Sequence, residues 1–597
     1  YGVLRNLDRR FFNAFGGATN YSGSMCWSSG YRAQEYDFGR VESSDWSDLL
    51  EAKTIILWGR DPAVTSIHMV PYLRGAQEKG AKIIVINPLR VKSVNFCDEY
   101  ISVKPGTDGA LALGIAYTIL NERWLDLEFV RQHVEGFEEY AHLVRQYPPA
   151  KVSKITGIDK EQIYQLAKAI AKEKPASLVI GYGLQRYTNG GKTVRGIDSL
   201  MAITGNIGKA GACAHYAQGV NSQLLNKLSG ESLAQVRRSY PVSAIAEKLT
   251  KAEDPSIKAI FVTRSNPVSQ LPHTTKVLEA FNRVDFVAVV DFFFNDTAAR
   301  ANLVLPCTTV FEDIDLISTC WNNYLTLAEP VLAPKGEAKP DWQIFCELAL
   351  KLQLDNFWPQ RFEELKEQLQ QIAGTGVIKT EKTGYQVWRS SLWEQVAYEW
   401  LKEALDSEAA VAAQLSIESL KQGPQRNPLA PQMAWQALDF ATPSGKYELF
   451  SKMAEVETGY GLPEYVEIAE GDSNPLVAGE YPYFFLTPHP VKQMHSQFAD
   501  DKDLNWPQVL LHPETAKLLY LANMDKVIVE SPRGQLTGLV QINQNIRQDT
   551  VVIEEGTWIK NGGGVNFLTS DLIADMGEGT PYYDCRCTVK KIVDHIS

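Results

Sequence analysis

Twice along the chain a continuous apolar run ends at a polar turn, gives way to a helical stretch, and returns as a second apolar run. The first instance is Thr54-Ile-Ile-Leu-Trp-Gly59-Arg-Asp61-Pro, followed by Lys82-Ile-Ile-Val-Ile-Asn87-Pro88. The second is Lys258-Ala-Ile-Phe-Val-Thr-Arg-Ser-Asn266-Pro, followed by Phe286-Val-Ala-Val-Val-Asp291. Asp61 and Asn87 lie 26 positions apart, Asn266 and Asp291 25. A third short run into a proline closes each block, Tyr100-Ile-Ser-Val-Lys-Pro105 and Asn302-Leu-Val-Leu-Pro306. Runs that do not alternate with polar residues are those of strands buried on both faces, so each block predicts parallel strands joined by crossover helices. Ala176-Ser-Leu-Val-Ile-Gly181 predicts a further buried strand, ending in Gly-Tyr-Gly183.

The pattern changes along the rest of the chain. Residues 1–50 are rich in Gly, Ser and aromatics, and residues 346–435 read as Gln- and Glu-rich helices with polar loops. From about residue 476, short strands with frequent turns predict a barrel-like β domain, with Val527–Gly534 and Gly538–Ile542 as its hairpin. The expected fold class is therefore α/β, with two pseudo-symmetric dinucleotide-binding units and a C-terminal β-barrel-like domain. The expected divisions are 1–20 (start of a discontinuous α/β domain), 21–215 and 216–345 (the two α/β units), 346–475 (helical insertion and linker) and 476–597 (barrel).

A length of 597 residues exceeds one core and fits several domains. The net charge of −12 argues against a general nucleic-acid surface. No apolar run is long enough to span a membrane. Eight scattered Cys without a Cys-x-x-Cys motif give no zinc or iron–sulfur framework and fit a reducing, cytoplasmic compartment. Cys585 and Cys587 read as a chance pair on one strand face.

In a parallel α/β sheet, ligands bind beyond the carboxyl ends of the strands. Gly59, Asp61, Asn87, Gly181, Gly183, Asn266 and Asp291 all punctuate such ends. Each turn alone is an ordinary strand-to-helix connection; the set, repeated at one spacing, points to nucleotide binding. Asp108, in the turn Lys104-Pro-Gly-Thr-Asp-Gly-Ala-Leu, is either a helix N-terminal carboxylate or an acceptor for the paired N–H donors of a guanine edge.

With these stretches the chain resembles the molybdopterin oxidoreductases of the dimethyl-sulfoxide-reductase-like family. The resemblance is carried by Trp58-Gly-Arg-Asp-Pro, Val85-Ile-Asn-Pro-Leu-Arg90, Lys104–Gly114, Thr204-Gly-Asn-Ile-Gly-Lys-Ala-Gly211, Asp296-Thr-Ala-Ala-Arg300, Lys339-Pro-Asp-Trp342, Thr442-Pro-Ser-Gly-Lys446, Ser531-Pro-Arg-Gly534 and Gly564–Thr569. It implies a catalytic subunit binding two molybdopterin guanine dinucleotides and molybdenum or tungsten. Gly59, Asp61, Asn87 and Asp108 would hold one dinucleotide, and Gly183, Asn266, Asp291 and Thr297 parts of the other. Thr487, His495, Ser496, Gln497, Asn566 and Tyr583 would close over both. Asp61 departs from the Asn often found in its turn and, when ionised, cannot donate.

The resemblance places the metal ligand in Gly23-Ser-Met-Cys26-Trp-Ser-Ser-Gly. Cys26 would be the catalytic metal ligand, with Ser28 or Ser29 as alternatives and a buried structural Cys as the plain reading. Arg32, Glu35 and Tyr36 are either tuning groups or a solvated helix face. His215, His273 and His489 read as structural. Trp27, Tyr31 and Trp321 are candidate funnel residues.

Family members usually begin with a Cys-rich segment binding a 4Fe–4S cluster. None precedes Tyr1, and Tyr1-Gly-Val-Leu-Arg reads as a start in mid-domain, so that cluster is expected only if an upstream segment exists. The implied partners are a small-molecule substrate, exchanging an oxygen atom or hydride equivalent, and an electron-transfer subunit with iron–sulfur clusters. A hydratase on the same metal site and a cofactor-free structural subunit are the alternatives.

Overall fold

A computed structural model describes residues 2–220, 226–235, 238–375, 392–497 and 506–592. The first apolar block folds as a five-stranded sheet in the order Glu99–Ile101, Lys82–Ile86, Thr54–Trp58, Ala176–Ile180, Ala214–His215. Every neighbouring pair is parallel. Both faces are covered, which is why the strands read as continuous apolar runs. Ile56, Trp58, Ile84 and Ile86 pack under the helices Asp108–Asn121 and Gly190–Thr204. Ile55, Leu57, Ile83 and Val85 face the helix Val70–Glu78 on the other side. Trp58 is in register with both Ile86 and Ile180, so Gly59, Asn87 and Gly181 leave the sheet side by side.

The second block repeats this plan with three strands, in the order Leu303–Pro306, Phe286–Asp291, Ala259–Thr263. Third, second and first strands follow in the same sequence as in the first sheet, again all parallel. The helix Thr274–Arg283 packs on one face through Val277, Ala280 and Phe281.

A third core joins distant parts of the chain. The helix Leu7–Ala14 buries Leu7 and Phe11 against Phe345, Phe357 and Trp400, which come from the segment 341–405. The residues expected at the start of an α/β domain and those expected in a helical insertion thus share one apolar cluster.

The C-terminal region is a closed six-stranded barrel in the order Tyr483–Leu486, Thr550–Val552, Gln508–Leu511, Gly534–Ile542, Lys526–Ser531, Arg586–Lys591. The expected hairpin is present as the antiparallel pair Lys526–Ser531 and Gly534–Ile542. Cys585 and Cys587 are free thiols buried in the barrel core. The α/β class with two like units and a terminal barrel is as the apolar pattern predicts. No helix among the described residues is long and apolar enough to cross a membrane.

Candidate functional site

The two α/β units match in hydrogen bonding as well as in strand order. In the first, the N–H and Oγ of Ser93 donate to Asp61 Oδ1 at 2.9 and 2.6 Å, and Ser93 Oγ accepts from Ala63 N–H at 3.1 Å. In the second, the N–H and Oγ1 of Thr297 donate to Asn266 Oδ1 at 3.3 and 2.6 Å, and Thr297 Oγ1 accepts from Val268 N–H at 3.1 Å. Each bracket ties the turn after the first strand to the loop after the second. Asp61 serves where Asn266 does because this bracket needs only an acceptor oxygen. Asp61 Oδ2 also accepts from Lys92 N–H. Its carboxylate is therefore spent on the protein, and the sequence did not mark Ser93 as its partner.

Close backbone approach explains two of the glycines. Gly59 has φ +61°, and a Cβ on Gly181 would stand 1.8 Å from the Gly59 carbonyl oxygen. Gly183 is looser: a Cβ there would lie 3.6 Å from both that oxygen and the Tyr583 ring.

Cys26 sits immediately before the helix Ser28–Phe38, in a tight turn whose N–H groups from Cys26, Trp27 and Ser28 all converge on Ser24 Oγ. Its side chain reaches solvent, while protein atoms pack closely enough around the sulfur to disfavour its charge. That burial, with Cys320 nearby, pushes the thiol up to about 11, against the opposing pull of Ser24 and Arg186. Tyr182 O–H donates to Cys320 Sγ at 3.5 Å, and the Tyr182 ring lies 5.0 Å from Trp321 and 6.3 Å from Trp27. Arg60 stacks on Trp321 with 3.8 Å from its guanidinium carbon to the ring centre. Trp27, Tyr31 and Trp321, the candidate funnel residues, join one aromatic cluster through Tyr182. Arg32, half-buried, and Tyr36, buried in the core, both bond Glu457.

The barrel meets both units. Ser496 Oγ accepts from Asn266 Nδ2 at 3.3 Å, and Asn566 Nδ2 donates to the carbonyls of Ser269 and Gln270. Asp296 accepts from Ile559 N–H and Ser269 Oγ, each at 2.7 Å. On the other side, Tyr583 N–H donates to Arg186 O, and its O–H reaches Thr487 O at 3.4 Å. His495 takes a left-handed φ of 53° and shares a 2.7 Å hydrogen bond with Glu555. Glu555 lies 3.7 Å from Arg186. Burial works against the Glu555 charge, but His495 and Arg186 hold its carboxyl below its ordinary value. Gln497 N–H closes its loop on Met494 O.

Asn266, Thr297, Ser496 and Asn566 thus form one group, and Gly183, Thr487, His495 and Tyr583 a second. Asp291 joins the first through Asn295, which donates to Asp291 Oδ2 and accepts from Thr297 N–H. Asn87 turns its Oδ1 onto Leu89 N–H. Asp108 opens its helix and accepts from Trp58 Nε1 at 2.9 Å; burial pushes its carboxyl up to about 6 despite that bond. Beside its turn lies a cavity of about 310 Å³, lined by Lys104, Gly106, Tyr465, Ile468 and Phe484. Both ring nitrogens of His215 are buried without a partner among the described residues, and burial lowers it to about 4, so it is a neutral core residue.

Arg186, Glu555 and Cys320 were not marked in the sequence. No motif singles them out; their interest comes from burial. Arg60 Nε, Arg186 Nε, Ser29 Oγ, Gln185 Nε2 and Thr487 Oγ1 are all buried without a partner among the described residues. Buried polar atoms are rarely left so. Two guanidinium groups and several polar atoms left unpaired fit an anionic, polar cofactor, and the residues present suit one.

Comparison with known proteins bears on the same parts of the chain. The sequence model of the molybdopterin oxidoreductase family matches residues 3–351, and that of the molybdopterin dinucleotide binding domain matches residues 483–586. The probable oxidoreductase YyaE of Bacillus subtilis is 34% identical, over 99% of this chain and 84% of its own. Trimethylamine-N-oxide reductase of Haemophilus influenzae is 27% identical, over 99% of this chain and 78% of its own. The solved structure of acetylene hydratase from Pelobacter acetylenicus superposes with a TM-score of 0.74 at 22% identity, over 98% of this chain and 84% of that one; it shares the fold.

Proposed function

This chain belongs to the molybdopterin oxidoreductase family and is an oxidoreductase, and on that premise we propose that it is the catalytic subunit of a molybdenum or tungsten enzyme holding two guanine dinucleotides. The observation that carries this reading is Cys26 itself, an open thiol with the Arg186 charge near it, in a chain that leaves several buried donors unpaired among the described residues. Cys26 would supply a thiolate to a metal already held by dithiolene sulfurs. The bound metal would supply two-electron redox chemistry with transfer of an oxygen atom or hydride equivalent. The protein does the rest: Ser24 and the following helix fix the position of Cys26, Arg186 places a positive charge near it, and the Trp27, Tyr182 and Trp321 rings give the site an apolar side. The repeated turns at Gly59 and Asn266 give each dinucleotide its own α/β unit, and Thr487, Ser496, Asn566 and Tyr583 support closure by the barrel. Asp108 and Asp291 are the proposed guanine acceptors. Relatives are named for trimethylamine-N-oxide and dimethyl sulfoxide reduction, which supports a small substrate and an electron-transfer partner.

Protein produced in a cofactor-competent host tests this by elemental and nucleotide analysis. The expected result is one metal per chain and guanine nucleotide in a two-to-one ratio to metal. Cys26→Ala is expected to lower turnover at least about 100-fold, since loss of residues merely supporting a metal ligand already costs 10- to 100-fold. Metal-free wild-type protein from that host would overturn the reading. A metal that stays in one oxidation state through turnover would select the hydratase alternative.

A further inference from the structure

Ser24 does more than close the turn in which Cys26 sits. Its Oγ accepts from Trp27 N–H at 3.0 Å, Ser28 N–H at 3.1 Å and Cys26 N–H at 3.3 Å. A hydroxyl oxygen has two lone pairs, so three converging N–H donors leave it no capacity to accept from a weak S–H as well. Its one hydrogen still needs an acceptor. Among the described residues the Cys26 sulfur, 3.9 Å from Ser24 Oγ, is the partner left for it. The direction of that contact follows: Ser24 donates and the sulfur accepts. Ser29 N–H is spent in turn on Gln185 Oε1 at 3.0 Å. The N–H groups of residues 26–29 are thus all engaged away from the sulfur, and the Ser24 hydroxyl is what remains to bond it.

Other contacts hold the turn in place. Ser24 N–H donates to Ser28 Oγ at 2.9 Å, and that hydroxyl returns to Ser24 O at 3.4 Å. A loop of the barrel presses on the same turn with no room to spare. A Cβ on Gly577 would stand 2.3 Å from Ser28 O, one on Gly579 2.1 Å from Ser29 Oγ, and one on Gly23 2.2 Å from Glu578 O. None of these contacts uses the Ser24 side chain, so the turn has support that outlasts its loss. Hydrogen bonds to a ligating sulfur are among the levers that set a metal's potential. An O–H donated to the sulfur draws electron density from it and so favours the reduced metal. We propose that Ser24 is a positioning residue acting through Cys26: its hydroxyl donates to the ligating sulfur and raises the reduction potential of the metal bound there. This rests on the reading of Cys26 as the metal ligand.

The test uses holoenzyme of the wild type, Ser24→Ala, Ser24→Asp, Ser24→Thr and Cys26→Ala, each first assayed for metal and pterin. Two quantities are read: the reduction potential of the metal by redox titration, and, in its paramagnetic oxidation state, coupling to a proton that exchanges in deuterium oxide, by electron–nuclear double resonance. Wild-type protein is expected to show such a proton. Ser24→Thr keeps the hydroxyl and should keep both the proton and the potential. Ser24→Ala should lose the proton and shift the potential downward. Ser24→Asp separates tuning from structure. Its carboxylate still accepts the N–H groups, as a helix-capping residue does, but donates nothing, so the proton should be lost there too. A proton that persists in Ser24→Ala or Ser24→Asp, or an unchanged potential in Ser24→Ala at full metal content, would overturn the proposal. So would loss of metal from both variants, which would make Ser24 a structural residue only. Cys26→Ala reads the underlying assignment. If the metal spectrum is unchanged in that variant, or wild-type protein holds no metal, Cys26 is not the ligand and the role of Ser24 falls with it. A changed spectrum in Cys26→Ala beside an unmoved Ser24→Ala defeats the Ser24 proposal alone.

Discussion

Asp108, a proposed guanine acceptor, is a buried carboxylate whose charge is set against stability. Its carboxyl is raised by burial from 3.8 to about 6, so the folded protein holds a proton there that the unfolded chain has lost. Any stability linked to this group is complete below about pH 4 and is lost as the pH rises through about 6. At neutral pH the ionised group costs on the order of 2–3 kcal/mol. Asp108→Asn keeps an acceptor for Trp58 Nε1 and removes the charge. The cofactor-free variant should melt several degrees higher at pH 7, with a flatter stability profile between pH 4 and 6 in differential scanning calorimetry. If Asp108 receives a guanine, the same variant should lose nucleotide when loaded. Asp108 was legible because a turn motif and a helix start frame it. Arg60 was on view within the motif Trp58-Gly-Arg-Asp-Pro, but its burial and missing partner are tertiary facts that no local pattern carries. Arg186 and Glu555 are 369 positions apart in the chain and meet only after folding.

At the scale of elements, the doubled apolar pattern was legible because burial on both faces imposes it on every strand. The matching hydroxyls were only half legible. Thr297 stood out through the family resemblance, while Ser93 lies in a polar loop resembling many others. Their equivalence makes a prediction for both units. Thr297→Val removes a donor to Asn266 Oδ1 and leaves the Val268 N–H without its acceptor. Ser93→Ala does the same to Asp61 and Ala63. Each should cost about 1–3 kcal/mol in urea denaturation. The barrel contact depends on Asp296 in a similar way. Asp296→Ala deprives Ile559 N–H and Ser269 Oγ of their shared acceptor. Hydrogen exchange at Ile559–Asn561 should quicken while exchange within the barrel strands stays slow. Gly181 is a stricter case. A methyl group 1.8 Å from the Gly59 oxygen has no room, so Gly181→Ala should force the adjoining strand ends apart and lower soluble yield sharply.

For the whole molecule, composition and length pointed to several cores but not to how the chain shares them. The helix Leu7–Ala14 and residues 341–369 and 392–405 are far apart in sequence and form one cluster around Trp400. Trp400 is fully buried, 4.3 Å from the Phe362 ring and 5.3 Å from the Arg10 guanidinium. Trp400→Ala should cost about 3–5 kcal/mol and loosen the N-terminal helix together with residues 392–405, read by thermal melting and limited proteolysis. No periodicity in either segment announces this pairing, because each helix shows only that it has an apolar side.

The barrel keeps its own closed apolar core, from Tyr483 to Val589, and meets the two α/β units through small clusters and hydrogen bonds. A joint of that kind is expected to open at a lower free-energy cost than unfolding either side. The molecule is therefore built like a box whose lid is made separately from its base. On that plan, base and lid are each expected to fold without the contents, which filling before closure would then complete.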